Sequence, residues 1–334
     1  MTETAERVAE AAPARVVSRG TILRRRLGPW GVPFTMVVLV LVFQLINERF
    51  LSWGNITTIL ESAMLPAIVA CGLTVVLIMG QFDLSIQAVA GFATVFSAAL
   101  MANFNLTLGS MLLIMVVVAL AIGTIIGWFV AYRGLNALVV TIAAGSLLNG
   151  GEFFVSDSKS IAVGIDPALV DFVRSSPLGI PMLVWIAPIV AGLVWLMLDK
   201  TRLGRELKAV GSNVEAAKFS GVNVRRVILV GFIITAVLCV LAGVLYTGRQ
   251  AQAYPLTGLQ VLLPSFAACF IGAAMFKVGK FNIPGTLVGA LLASIVSNGL
   301  LLANVGGYTS YFFQGGILLG AVWFARAITG KGGV

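Results

Sequence analysis

An uninterrupted apolar run at 111–132, MLLIMVVVALAIGTIIGWFVAY, is the feature that most constrains how this chain can fold. A helix needs about 20 such residues to cross the hydrocarbon core of a bilayer. The strands of a membrane β-barrel alternate apolar and polar side chains, and this run does not alternate. Because a spanning backbone must satisfy its own hydrogen bonds, the run predicts a transmembrane helix.

Composition extends this prediction to the whole chain, because 59% of its 334 residues are hydrophobic and only 10% are charged. Soluble domains carry about 25% charged residues, so we expect an all-α polytopic membrane protein with about ten transmembrane helices. The predicted spans are residues 30–48, 62–80, 84–102, 110–132, 136–153, 179–198, 226–247, 259–276, 283–304 and 308–327. We expect a transmembrane domain over 30–328, with cytosolic tails at 1–29 and 329–334.

The positions of Lys and Arg predict the orientation of these helices. An even number of spans places both termini on one side, and 18 of the 22 basic residues fall in the segments on that side. The four exceptions are Arg49, Lys159, Arg174 and Arg249. Because cytoplasmic loops are enriched in basic residues, we predict that both termini are cytoplasmic. The net charge of +9 then indicates orientation and contact with anionic lipid, and it does not indicate nucleic acid.

Two predicted loops are longer than simple turns, at 152–178 on the outer side and at 199–225 on the inner side. The inner loop contains VGSNVEAAKFSGV (210–222), which has the caps of a short helix. Asn213 is a good N-cap, Glu215 suits the first turn, and Gly221 suits the position after the helix. A helix this short is unstable alone, so it must rest on lipid or dock a cytosolic partner.

A second polar stretch, GQFDLSIQAVAG (80–91), contains an acid within an apolar region and without a nearby basic partner. Asp83 either caps the next helix or belongs to a polar pathway through the membrane. The candidate pathway residues are Gln81, Asp83, Ser85, Thr141, Asn149 and Asn298. Amide and hydroxyl groups with few charges suit a neutral hydroxylated solute better than an ion.

Several motifs of enzymes and pumps are absent from the sequence. It has no G-x-x-x-x-G-K-[ST] phosphate-binding loop, and without histidine it has no Ser-His-Asp triad. The three cysteines lie inside apolar runs, which indicates packing and not a metal site or disulfide framework. We therefore expect no catalytic residues, metal or cofactor in this chain, and transport energy would come from another polypeptide.

The same motifs carry a resemblance to a known family. AVGSNVEAAKFSGV (209–222) resembles the cytoplasmic coupling loop of ABC importer permeases of the ribose/xylose/autoinducer-2 branch. TRLGRELKAVG (201–211), GQFDLSIQAVAG and LNALVVTIAAGSLLNGG (135–151) are also similar to that branch, as is the segment 262–300. The chain departs from the pattern at Gln81, where glycine is usual, and over 144–148.

The resemblance implies a permease subunit of an importer for a monosaccharide or similar small polyol, located in the bacterial inner membrane. It implies three partners: a second permease, an ATP-binding subunit with tandem nucleotide domains that uses ATP and Mg, and a periplasmic or lipid-anchored sugar-binding protein. By position, Asp83, Leu84 and Ser85 match the family's Asp-Leu-Ser element. The predicted residues for coupling to the ATPase are Gly211, Asn213, Glu215, Ala216, Ala217 and Gly221.

Three other interpretations stay open on the sequence. A related ABC permease could carry a non-sugar solute such as branched-chain amino acids, although a zwitterion would favour a charged partner in the path. An ion-coupled secondary transporter would be expected to show inverted repeats and membrane-embedded acids. A membrane scaffold would have no transport role.

Overall fold

A computed structural model of the chain describes residues 19–276, 279–306, 308–309, 312–316 and 319, with side chains described from residue 31. Within these ranges the regular elements are helices, apart from one isolated β-bridge between Ile161 and Ala253. The helices are α1 Arg19–Ile46, α2 Trp53–Ile78, α3 Ile86–Ala102, α4 Leu108–Ala131, α5 Ala137–Ser156, α6 Pro167–Arg174, α7 Met182–Lys200, α8 Arg202–Ser212, α9 Val214–Phe219, α10 Val224–Gln250, α11 Leu259–Ala273 and α12 Ile283–Leu302. A short 3-10 turn, Pro177–Gly179, precedes α7.

Six of the described helices are long and apolar enough to cross a membrane, namely α2, α4, α5, α7, α10 and α12. Three shorter apolar helices accompany them, at Gly31–Ile46 within α1, at α3 and at α11. The prediction of an all-helical polytopic chain is confirmed, and nine of the ten predicted windows coincide with apolar helices. Most of the predicted tenth span, 308–327, lies outside the described residues, as do residues 1–18 and the predicted tail 329–334.

The two predicted loops contain more structure than the sequence indicated. The prediction that Glu152 lies in the outer loop is wrong, because α5 continues to Ser156 and buries this residue. The helix α6 occupies the same predicted loop, where Asp166 caps it and Pro167 occupies its first turn. In the inner loop, α8 precedes the predicted short helix and is capped by the Thr201 hydroxyl.

The helices α2 and α10 form the centre of the bundle, and α4, α5 and α7 expose most of their surface. Small residues let these helices approach closely. A Cβ at Gly72 of α2 would lie 3.1 Å from the Thr235 Cα of α10. Gly123 and Gly127 of α4 pack in the same way on Ile233 and Leu229 of α10. Such backbone contacts replace the hydrophobic driving force that is missing between helices in lipid.

The helix ends form two faces of the bundle. The contacts between α4 and α10 run antiparallel, so the end of α4 lies beside the start of α10. A cavity is lined by the ends of α2 and α7, by α8 and by the turn before α12, which places all of these on one face. The helix α9 follows α8 and packs against it, so it lies on the same face. We call this the α9 face. On the opposite face, the α6 face, the Arg174 Nε donates to the Arg249 carbonyl at 2.9 Å.

Two non-helical segments lie inside the helix bundle. The first break, residues 79–85, follows α2, and the side chain of Met79 lies against Gly231 of α10. The chain then returns toward the middle of α10, so that α3 packs its first turns against Gly243. The second break, residues 251–258, enters from the α6 face and brings Gly258 against the backbone of Gln87 in α3. Both short helices, α3 and α11, therefore start inside the bundle.

Candidate functional site

The predicted short helix in the inner loop is present as α9. The Asn213 Oδ1 accepts a hydrogen bond from the Ala216 N–H at 2.9 Å, which confirms the predicted N-cap. The Lys218 ammonium pairs with the Glu215 carboxylate at 3.0 Å across one turn. Gly221 follows the helix with a φ of +78°, a conformation that residues with a Cβ adopt at a cost, so the predicted terminating role is also confirmed.

The outward surface of α9 is small and carries one aromatic ring that the sequence reasoning missed. Ala217 is buried against the bundle, whereas Glu215, Ala216 and Lys218 are exposed. Phe219, the last residue of the helix, is 90% exposed. The sequence signal for a docking surface was a large aromatic residue at the end of a short, polar, capped helix. Exposed aromatic side chains at a protein surface often anchor a partner.

The helix α8 connects α9 to the membrane-embedded helices. Gly211, near its end, lies so close to α2 that a Cβ there would overlap the carbonyl oxygen of Ile78. Gly204, near its start, makes a similarly close approach to the Leu198 carbonyl at the end of α7. Gly211 therefore contacts the end of α2, directly before the first break, and it is not part of the outward surface of α9.

The first break is organised around Asp83, which is almost fully buried. Its Oδ1 accepts hydrogen bonds from the Ser85 N–H at 2.8 Å and from the Ser85 hydroxyl at 2.5 Å. Ser85 itself is the N-cap residue of α3 and makes no side-chain cap bond. Asp83 thus stabilises the start of α3 from two residues before its N-cap residue, Ser85, and does not occupy the N-cap position itself.

The structure brings some predicted pathway residues together and separates one. The Thr141 Oγ1 of α5 accepts a hydrogen bond from the Leu84 N–H at 3.2 Å, so it joins Asp83 and Ser85. Asn149 lies two turns further along α5, and its Oδ1 is buried without a hydrogen-bond partner among the described residues. Gln81 lies half-buried at the start of the same break. Asn298 lies apart, on α12, which packs on α2 and α11.

Sequence reasoning left two buried polar residues out of the candidate site. Gln87 of α3 and Glu152 of α5 lie on the facing sides of these helices, close to Gly145 and Gly91 respectively. Each has a buried side-chain oxygen with no partner in the described part of the chain. The sequence signal for Glu152 was an acidic residue within an apolar helical stretch. The prediction missed it because the outer loop was placed from residue 152 onward.

Removing the Asp83 carboxylate is expected to destabilise the first break. Asp83→Ala leaves the buried Ser85 N–H without its acceptor, which costs about 1–3 kcal/mol, whereas Asp83→Asn keeps an oxygen in place. Thermal unfolding of the purified protein in detergent should show a clearly lower Tm for Asp83→Ala than for Asp83→Asn. Asp171→Ala, on the exposed side of α6, is the matched control. Equal Tm values for Asp83→Ala and the control would contradict the assignment.

A family model described as "Branched-chain amino acid transport system / permease component" matches residues 55–322. The D-allose transport system permease protein AlsC of Escherichia coli is 32% identical over 302 residues, which cover 90% of this chain and 92% of that protein. The ribose import permease protein RbsC of Haemophilus influenzae is 30% identical over 290 residues, 86% of this chain and 90% of that protein.

A further relative is named for another sugar, and its similarity covers a comparable length. The L-arabinose transport system permease protein AraH of Escherichia coli is 27% identical over 297 residues, 89% of this chain and 90% of that protein. None of the solved structures matches the chain at a significant level. The apolar helices and these matches identify a multi-pass protein of the inner membrane. The chain therefore belongs to the permease family described as the permease component of branched-chain amino acid transport systems, and within it resembles the ribose, allose and arabinose permeases.

Proposed function

We propose that this chain is the permease subunit of an ATP-driven importer for a monosaccharide or similar small polyol. The observation that carries the proposal is the similarity to permeases named for D-allose, ribose and L-arabinose, which spans 86–90% of the chain. The fold supports it, because the described helices form a membrane bundle with one compact, capped helix on a single face.

The proposed topology has ten spans, the tenth within 308–327, and both termini in the cytoplasm. The proposed transmembrane domain covers residues 30–328 and contains the coupling loop at 199–225. Support comes from the distribution of charge. The α9 face holds Arg133, the four basic residues between α7 and α10, and Lys200, Arg225 and Arg226 at the adjoining ends of these two helices. Arg174 and Arg249 lie on the α6 face. The positive-inside rule then makes the α9 face cytoplasmic.

The proposed coupling route runs from α9 into the first break. A cytosolic ATPase would contact the exposed surface of α9, including Glu215, Ala216 and Phe219. Movement of α9 is transmitted to α8, and the contact between Gly211 and Ile78 transmits it to the end of α2. The first break begins at the next residue. Alternating access then needs no bond-making chemistry in this chain, only two packings of similar free energy.

The proposed substrate pathway involves the polar groups around the first break. Asp83 and Ser85 are bonded to each other, and Thr141 holds the segment against α5. Asn149, two turns further along α5, has a buried oxygen without a partner in the described part of the chain, and a hydroxyl group of the solute would donate to it in another conformation. Gln81 completes the set, whereas Asn298 would act elsewhere in the bundle. These groups suit the hydroxyl groups of a sugar.

The proposed partners supply the second half of the pore, the hydrolysis of ATP and the delivery of substrate. A second permease, identical or different, would complete the pore. An ATP-binding subunit with tandem nucleotide domains would bind ATP and Mg and contact α9. A periplasmic or lipid-anchored sugar-binding protein would deliver substrate to the α6 face. This chain itself is proposed to bind no cofactor, metal or nucleic acid, and membrane lipid covers its outer helices.

Affinity purification of the tagged chain from its native membrane tests this assignment. We expect co-purification of an ATPase with tandem nucleotide domains, whose hydrolysis rate rises when the partner sugar-binding protein carries D-allose, D-ribose or L-arabinose. Stimulation by binding protein loaded with leucine or valine instead would favour a branched-chain amino acid permease, the function that the family description names. Failure to recover any ATPase would contradict the proposal.

A further inference from the structure

The buried side of α5 supplies a hydrogen-bond acceptor to each of the two breaks. One stripe of α5 is buried, and it includes Thr141 and Glu152. Thr141 accepts the Leu84 N–H of the first break at 3.2 Å, and the Glu152 Oε2 accepts the Leu256 N–H of the second break at 2.5 Å. Non-helical backbone at membrane depth needs such partners within the protein, because lipid offers none.

Glycine residues leave space for the carboxyl group of Glu152 inside the bundle. The side chain is fully buried, and a Cβ at Gly91 of α3 would overlap its Oε1. A Cβ at Gly258, at the end of the second break, would overlap the Gln87 carbonyl oxygen. Among the ion pairs of the described residues, none involves Glu152. The contacts therefore show a hydrogen-bond acceptor placed where α3, α5 and the second break meet.

The second break depends on contacts with other segments, because two of its residues have energetically unfavourable backbone conformations. Ala251 and Leu256 both have left-handed backbone conformations, with φ values of 51° and 62°. Residues with a Cβ adopt that region only when their surroundings hold them there. The outer part of the segment is held by the bridge between Ile161 and Ala253, with hydrogen bonds of 2.8 and 2.9 Å. Glu152 holds the inner part, at Leu256.

We propose that Glu152 is a positioning residue for transport, which fixes the second break at the junction of α3 and α5 so that α11 starts against the first turn of α3. This inference rests on the proposed transport function. The carboxyl group acts as an acceptor of the Leu256 N–H, and it does not contact the solute. The helix α5 thereby holds both breaks, Thr141 the first and Glu152 the second, and a movement of α5 displaces both together.

A cysteine placed in the second break tests the positioning role without any ATPase or sugar. Thr257 is buried, and Thr257→Cys changes its size little, while the three native cysteines are also buried. In the otherwise unchanged chain this cysteine should react slowly with a water-soluble maleimide. Adding Glu152→Ala should raise the reaction rate at least about tenfold, because a buried N–H loses its acceptor. Glu152→Gln keeps an acceptor oxygen and should stay within about twofold of the parent.

Uptake provides the second readout, and Ser156→Ala provides the matched control. Ser156 lies one turn after Glu152 on the same stripe, and within the described part of the chain its hydroxyl donates only to the Glu152 carbonyl of its own helix. We expect uptake at least about tenfold lower in Glu152→Ala and within about twofold of normal in Glu152→Gln and Ser156→Ala. An unchanged cysteine reaction rate in Glu152→Ala would overturn the proposal. A reaction rate in Glu152→Gln as high as in Glu152→Ala would also overturn it. If Glu152→Ala does not reach the membrane, Glu152→Leu, which also has no acceptor but keeps more of the side-chain volume, takes its place and should likewise raise the reaction rate at least about tenfold.

The two readouts separate this inference from the proposed function. If the chain carries a different solute, sugar uptake fails in every variant, and the cysteine reactivities keep their expected order. If Glu152 has no positioning role, uptake by the unchanged chain is normal and the reactivities are equal.

Discussion

Gly211→Val is expected to abolish most ATP-driven uptake while the protein still inserts in the membrane. A Cβ at Gly211 would overlap the Ile78 carbonyl oxygen, so α8 must move away from the end of α2. Overpacking of this kind costs about 1–3 kcal/mol, and the displaced contact is the one that joins α9 to the first break. Uptake of labelled sugar by cells, measured at equal membrane levels of the protein, should fall at least about tenfold.

Gly192→Val is the matched control for this experiment. Gly192 is also a helical glycine, in α7, but a Cβ there meets no atom within 4 Å. The control should transport normally. ATPase activity should separate a loss of coupling from a loss of assembly with the ATPase. A permease with a displaced α8 should still bind its ATPase, but loaded binding protein should no longer stimulate hydrolysis. Normal uptake by Gly211→Val would contradict the coupling route through α8.

Phe219→Ala is expected to weaken the binding of the ATPase to the permease by about 30-fold. The ring is 90% exposed at the end of α9, and truncating an aromatic anchor at the centre of an interface costs about 2 kcal/mol or more. Titration of the purified ATPase onto the permease in lipid nanodiscs would give the change in Kd directly. The short helix itself should persist, because its caps, Asn213 and Gly221, are unchanged.

Phe172→Ala serves as the control for Phe219→Ala. Phe172 is an exposed phenylalanine on α6, at the opposite face of the bundle. Its replacement should leave the affinity for the ATPase unchanged. If Phe219→Ala binds the ATPase as tightly as Phe172→Ala does, α9 does not contact the ATPase through its exposed aromatic end.

Much of the fold followed from local sequence signals. Apolar length located nine helices to within a few residues, except that α1 begins eleven residues before the predicted 30 and α2 begins nine residues before the predicted 62. The polar start of α2, with Asn55, Thr57 and Glu61, concealed those first turns from a hydropathy window. The caps of α9 were readable because capping depends on residue types within one turn. The helix α8 was missed because its apolar residues form one stripe among charged residues.

The candidate site was less predictable, because it depends on contacts between distant parts of the chain. Asp83 and Ser85 bond locally, so their neighbourhood was readable. The contact between Leu84 and Thr141 joins residues 57 positions apart, and that between Glu152 and Leu256 joins residues 104 positions apart. Nothing in the spacing of these residues indicates such contacts. The role of Gly211 was likewise hidden, since a glycine in a helix does not reveal which backbone it approaches.

The most direct test of the proposed function is reconstituted uptake. Proteoliposomes would hold the permease with its co-purified ATPase, with ATP and Mg on the α9 side and sugar-loaded binding protein on the α6 side. We expect labelled D-allose, D-ribose or L-arabinose to move from the α6 side to the α9 side only when ATP is hydrolysed. Sugar movement without the ATPase, driven by an imposed proton or sodium gradient, would contradict the claim that a separate ATPase drives this permease through α9.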